Sequence, residues 1–154
     1  MFIKIFKNLF DIHVIDISLV FVSAPLLALR PRVAVGERFV VRGYGAAIEG
    51  DPRSAGDLRQ ATLVATGKPG NLQLRLVDPA SNGTRQGLGA CDGDSGAPAY
   101  QESDGALAII GVVSWTTGPN TGDGCGGLTG VTPLELYRDW IVDQARKMGN
   151  ALQF

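Results

Sequence analysis

A chain of 154 residues is long enough for one domain with a real hydrophobic core. Its 14 basic and 15 acidic residues leave a net charge of −1 and are scattered, so nothing marks a surface for nucleic acid or an anionic membrane. No uncharged apolar run is long enough for a transmembrane helix, and 21 glycines and eight prolines among short apolar runs predict many strands and tight turns.

Residues 1–24 carry Lys4 and Lys7, continue apolar and end Val22-Ser23-Ala24, the outline of a cleavable leader. Asp11, His13 and Asp16 interrupt that stretch, and Pro25 follows the cleavage point, so a leader is the weaker reading. Strands are predicted at Glu37–Arg42, Leu58–Thr66 and Leu72–Val77. In the third, Leu72, Leu74 and Leu76 alternate with Gln73 and Arg75, the pattern of a half-buried strand whose inner face stays open. Asp78-Pro79 through Gly89 reads as a polar loop. Further strands are predicted at Ala97–Gln101 and Ala106–Trp115, the latter apolar enough to be buried on both faces. Thr132 as N-cap and Pro133 at the first helical position predict a terminal helix. Leu134, Tyr137, Ile141 and Ala145 would form its buried stripe with Trp140 beside it, and Gly149 would end it. The fold class expected is all-β with one helix.

The chemistry concentrates in Cys91-Asp92-Gly93-Asp94-Ser95-Gly96-Ala97-Pro98. A serine hydroxyl is a poor nucleophile unless a base takes its proton and fixed donors stabilise the oxyanion that forms. Gly93 and Gly96 free the backbone around Ser95 for turn dihedrals that could aim the N–H groups of Gly93 and Ser95 at one point. Taken alone, Gly-Asp-Ser-Gly is also ordinary turn chemistry.

From Gly36 onward the chain resembles the second β-barrel of the trypsin-like (chymotrypsin-fold) serine proteases. The nucleophile block with Cys91 before it is followed by Gly111-Val112-Val113-Ser114-Trp115, Gly124-Cys125-Gly126, Gly130-Val131 and Trp140-Ile141. Arg42-Gly43-Tyr44-Gly45 matches the opening of that barrel, and Ala97 replaces the second glycine of the block. The resemblance implies a six-stranded antiparallel barrel over residues 31–154 with a C-terminal helix. It also implies peptide-bond hydrolysis through an acyl-enzyme on Ser95, with Gly93 and Ser95 as oxyanion hole and no cofactor or metal. Peptide or protein substrates and a secreted or periplasmic location follow from the same likeness.

Other roles come from the resemblance as well. Cys91 and Cys125 would pair as a disulfide, tying the nucleophile turn to the pocket wall; two free thiols are the alternative. The base of the primary pocket falls on Gly89, where trypsin carries an aspartate, so a basic side chain would be buried unpaired. Ser114, Trp115, Thr116 and Gly130 would form the walls, with Thr116 narrowing the mouth toward small or medium apolar side chains. Ser114 and Thr116 would also pair with an extended peptide.

Residues 1–30 would be a remnant of the first barrel or an unrelated leader. Asp16-Ile17-Ser18-Leu19 resembles the strand that carries the triad aspartate, with Asp11 as the competing register. The one histidine, His13, lies three residues before Asp16 and outside any block resembling that of the family's base. Asp94 corresponds to the residue that pairs with an N-terminus released by activation cleavage, and no such cleavage site is visible, so a partnerless, zymogen-like Asp94 is expected. Three functions remain: an N-terminally truncated endopeptidase, which a first barrel would complete; a pseudoprotease that binds peptides or proteins; and an unrelated serine hydrolase. The last is weakest, since Gly-x-Ser-x-Gly and a later histidine are lacking.

Overall fold

A computed structural model describes residues 33–67, 72–103 and 106–149. Asp11, His13, Asp16 and the 1–30 segment, with the roles expected of them, lie outside these residues. Six strands, β1 (Arg38–Gly43), β2 (Arg59–Gly67), β3 (Leu74–Val77), β4 (Pro98–Ser103), β5 (Ala106–Thr116) and β6 (Leu128–Pro133), close into a barrel. Their order around it is β1-β2-β3-β6-β5-β4, and every pairing is antiparallel. Closure removes the exposed strand edges that an open sheet would have to protect.

Alternation decides what fills the barrel. Phe39 and Val41 of β1, Leu63 and Ala65 of β2, and Leu74 and Leu76 of β3 point inward, with Ala99, Val113 and Val131 from the remaining strands. The open question about the third strand is thereby answered: Leu74 and Leu76 line the core, whereas Leu72 precedes the strand and is exposed. Burial of a Leu or Phe side chain contributes roughly 2–3 kcal/mol, so this apolar interior is what holds the barrel closed.

Two readings of the C-terminal third need correction. The sixth strand that the resemblance implied was not located by the residue pattern, because Gly126, Gly127 and Gly130 dilute it. Gly130 is required there: a Cβ would overlap the ring of Trp115 on the neighbouring strand. Thr132-Pro133 does not open the helix but ends β6, where Pro133 faces Gly111 across the ladder. A proline is tolerated at a strand end because no further ladder bond needs its missing N–H. A 3-10 turn over Leu134–Tyr137 then leads into α1 (Arg138–Lys147), which Gly149 terminates at φ 75°. Leu134 and Ile141 pack on Val112, forming a second core outside the barrel. Ala145 is buried too, but Tyr137 of the predicted stripe stands exposed, as does Trp140 beside it.

Candidate active site

Ser95 sits at the tip of the loop between Ala90 and β4, exposed to solvent. Gly93 and Gly96 adopt φ values of 91° and 85°, a region that disfavours any side chain, and so fold the loop back on itself. The N–H of Asp94 donates to the Cys91 carbonyl (3.0 Å), and that of Ala97 donates to the Asp94 carbonyl (2.9 Å). The N–H of Gly96 reaches Val113 of β5 (2.8 Å) and ties the turn to the barrel. Among the described residues, the N–H groups of Gly93 and Ser95 have no partner. The turn thus spends the amides of Cys91, Asp94, Gly96 and Ala97 on itself and on the barrel and leaves those of Gly93 and Ser95, like that of Asp92, unspent.

Asp94 holds that turn from beneath. Its Oδ1 accepts from the Gly45 N–H (2.8 Å) and its Oδ2 from the Cys91 N–H (2.9 Å). Gly43 and Gly45 must lack side chains, since a Cβ on either would overlap this carboxylate. Two backbone amides thus occupy this carboxylate, the group for which the resemblance implies a pairing with a released N-terminus. Cys91 and Cys125 form a disulfide with a Cα–Cα distance of 5.0 Å, which joins the nucleophile loop to the segment before β6. Asp92 lies near both sulfurs, but sulfurs bonded to each other offer no thiolate pair to a metal.

A cavity of about 200 Å³ lies beside Asp94, lined by Gly43, Gly45, Glu49, Arg59 and Gly89 among others. Glu49 accepts from the Cys125 N–H (3.3 Å), and Arg59 donates to the Gly45 carbonyl (3.1 Å).

The residues expected to wall the primary pocket fall on two adjoining strands. A register shift between Val113 and Trp115 places Ser114 in a bulge, exposed, and re-aims Trp115 across β6. Trp115 lies flat over Gly130, and its Nε1–H donates to Gln73 Oε1 (2.9 Å). Thr116 turns its hydroxyl to the Ala90 carbonyl (2.9 Å) and the Leu128 carbonyl (3.2 Å). Gly130 sits beneath Trp115, so the β6 side chain that reaches Gly89 is that of its neighbour Thr129.

Sequence reasoning missed three residues here: Gln73, Thr129 and Asp78. Asp78 caps the loop it begins, its carboxylate accepting from the N–H groups of Ala80 (2.8 Å) and Leu88 (2.9 Å). These hydrogen bonds, the one from Leu88 foremost, hold its pKa below the ordinary carboxylate value against the opposing effect of burial. The Asp-Pro start was a legible signal for such a cap. Nothing local signals Gln73 or Thr129, whose partners lie 42 and 39 residues away.

Comparison with known proteins agrees with this geometry. Residues 11–141 match the family model described as Trypsin. The human hepatocyte growth factor activator serine protease is 34% identical over 121 residues, 72% of this chain and 18% of that protein. Human tissue-type plasminogen activator is 40% identical over 70 residues, 45% of this chain and 12% of that protein. The chain therefore spans less than a fifth of the length of these curated relatives. A solved mutant of human heparin binding protein superposes with a TM-score of 0.55 at 27% identity, covering 75% of this chain and 47% of that one. Among the described residues, no helix is long and apolar enough to cross a membrane. With the motif order, the closed six-stranded barrel and the disulfide in agreement, this chain belongs to the trypsin family of serine proteases.

Proposed function

We propose that the chain carries the nucleophile half of a serine endopeptidase, with Ser95 forming the acyl-enzyme and the N–H groups of Gly93 and Ser95 receiving the oxyanion. The observation that carries this reading is the pair of unpartnered amides, of Gly93 and of the exposed Ser95 itself, in a turn held by the hydrogen bonds of Cys91, Asp94, Gly96 and Ala97. Asp16 is the candidate triad aspartate, oriented toward a base that this sequence does not supply, because its one histidine is too close to Asp16 in the chain. A complementing first barrel would bring that base. Leu136, Tyr137 and Trp140, exposed where α1 begins, are consistent with such a partner. In triad hydrolases, loss of the base lowers turnover by about six orders of magnitude, so the isolated chain is expected to be inactive. Secretion is proposed on the disulfide, which persists in oxidising compartments. The absence of a carboxylate at Gly89 disfavours basic substrate side chains.

The test is labelling by a fluorophosphonate probe, with and without added imidazole to stand in for the base. Ser95-dependent labelling that requires imidazole is expected, and Ser95→Ala should abolish it. Rapid labelling without imidazole would show that the chain already holds a base. No labelling under either condition would favour the second reading, a peptide- or protein-binding module, which the solitary histidine already supports.

A further inference from the structure

We infer that Asn82 is a glycan attachment site: in a secretory compartment its side-chain amide takes an N-linked oligosaccharide. This goes beyond the peptidase reading and rests only on the secreted location proposed above.

Five asparagines occur, at 8, 71, 82, 120 and 150, and Asn82 alone is followed two residues on by a hydroxyl side chain. The tripeptide is Asn82-Gly83-Thr84, with no proline in the middle, as an acceptor requires. The loop before the nucleophile turn presents it at the surface. Asn82 and Gly83 adopt φ values of 50° and 73°, so the chain reverses there through two successive left-handed residues. Asparagine tolerates that region better than most side chains do. The turn is firmly held. The N–H groups of Ser81 and Asn82 both donate to the Asp78 carbonyl (3.2 and 2.8 Å), and that of Thr84 donates to the Ser81 carbonyl (3.1 Å). Gly83 lies against the barrel, since a Cβ on it would stand 3.3 Å from Val77 and 3.8 Å from Leu128. Asn82 and Thr84, on either side of it, are exposed.

Asn120 provides the contrast. It adopts nearly the same backbone conformation, φ 53°, but its side chain is spent on the loop that carries Asn82. Its N–H donates to the Gly83 carbonyl (2.7 Å) and its Nδ2 to the Thr84 carbonyl (3.2 Å). Among the described residues, the Asn82 side chain has no hydrogen-bond partner. Asn120 thus fastens the loop while Asn82 leaves its amide to solvent. Thr84 Oγ1 donates to the Ser81 carbonyl (2.9 Å), which holds the hydroxyl of the motif on the same turn as that amide.

The glycosyl donor is an oligosaccharide carried on a lipid diphosphate, and a transferase of the secretory pathway catalyses the exchange. Asn82 Nδ2 forms a bond to the anomeric carbon as the bond from that carbon to the diphosphate oxygen breaks. The amide gives up one proton, and the lipid diphosphate is the leaving group. The compartment where this transfer occurs is oxidising, as the Cys91–Cys125 disulfide also requires. The folded loop accommodates the product, because the amide that gains the sugar gives up no contact of its own.

The experiment carries the full chain, behind an added leader, into the secretory pathway of cultured animal cells. The purified chain is weighed by mass spectrometry before and after treatment with the amidase PNGase F in heavy-oxygen water, with an incubation lacking the amidase as control. The wild type is expected to carry a sugar mass that the amidase removes, converting Asn82 to aspartate labelled with heavy oxygen. Asn82→Gln and Thr84→Val should each abolish the sugar, whereas Thr84→Ser, which keeps the hydroxyl, should retain it. The change in mass on reduction reports the disulfide in the same samples. A wild-type chain with the disulfide but no sugar would overturn the inference and leave the proposed location standing. A chain with neither would overturn both. Sugar without the disulfide would uphold the attachment and remove the argument from oxidation for the location. Sugar that persists in Asn82→Gln or in Thr84→Val would show that attachment does not use this motif and would overturn the inference.

Discussion

Removing the Asp94 carboxylate should loosen the nucleophile turn before it touches the nucleophile. In Asp94→Ala the Gly45 and Cys91 N–H groups lose their acceptor together. Both residues are buried, so water replaces the lost oxygen poorly at each. Hydrogen bonds to charged groups contribute about 1.5–3 kcal/mol each, which puts the loss near 3–5 kcal/mol, the upper figure lowered because Asp94 is only half-buried. Asp94→Asn keeps one acceptor oxygen but turns an amide donor toward the second N–H, so roughly half of that loss is expected. A loss of this size is a large share of the stability of a small domain. Urea unfolding followed by tryptophan fluorescence measures it, and amide hydrogen exchange at Gly45 and Cys91 locates it. If Asp94→Ala unfolds within about 1 kcal/mol of the wild type and protection at both amides is unchanged, the carboxylate is not what holds the turn.

The Cys91–Cys125 bridge closes a loop with a sequence separation of 34, for which chain entropy gives about 4 kcal/mol. Replacing both cysteines with alanine should cost near that amount in a urea titration, and the intact mass of the native chain should rise by about two daltons on reduction, from the two hydrogens that cleavage of the S–S bond adds. Equal stability of the two forms would show that the reduced chain keeps the loop closed by other contacts. Asp78 makes a pH-dependent contribution. Because its folded pKa lies below its unfolded value of 3.8, its stabilisation is complete above that value and is lost as pH falls through the folded pKa. The gap between wild type and Asp78→Asn in urea midpoint should therefore be constant near neutrality and shrink below about pH 4. A gap unchanged across that range would mean that the carboxylate's charge is irrelevant to the loop.

The features that could be read from residue order are those whose cause is local. Gly93 and Gly96 announce an unusual turn because only glycine tolerates the positive φ both adopt. Five strands showed themselves by alternation or apolar density, each to within one or two residues at most ends. The sixth did not, because its glycine answers to a tryptophan on another strand. Thr132-Pro133 misled for a related reason: the same dipeptide suits a helix start and a strand end, and pairing with Gly111 decided between them.

Distant partners were decided by folding alone. Asp94 could be named beside Ser95, but its acceptance of the Gly45 N–H spans 49 residues, and its position depends on two glycines that make room for it. Thr129 carries no signal in its neighbourhood, because what matters is the Ala90 peptide that barrel closure brings against it. Glycine dihedrals and hydrophobic alternation act within a few residues and are written along the chain. Pocket width and the satisfaction of buried amides depend on which strands lie side by side, and they exist only once the barrel has closed.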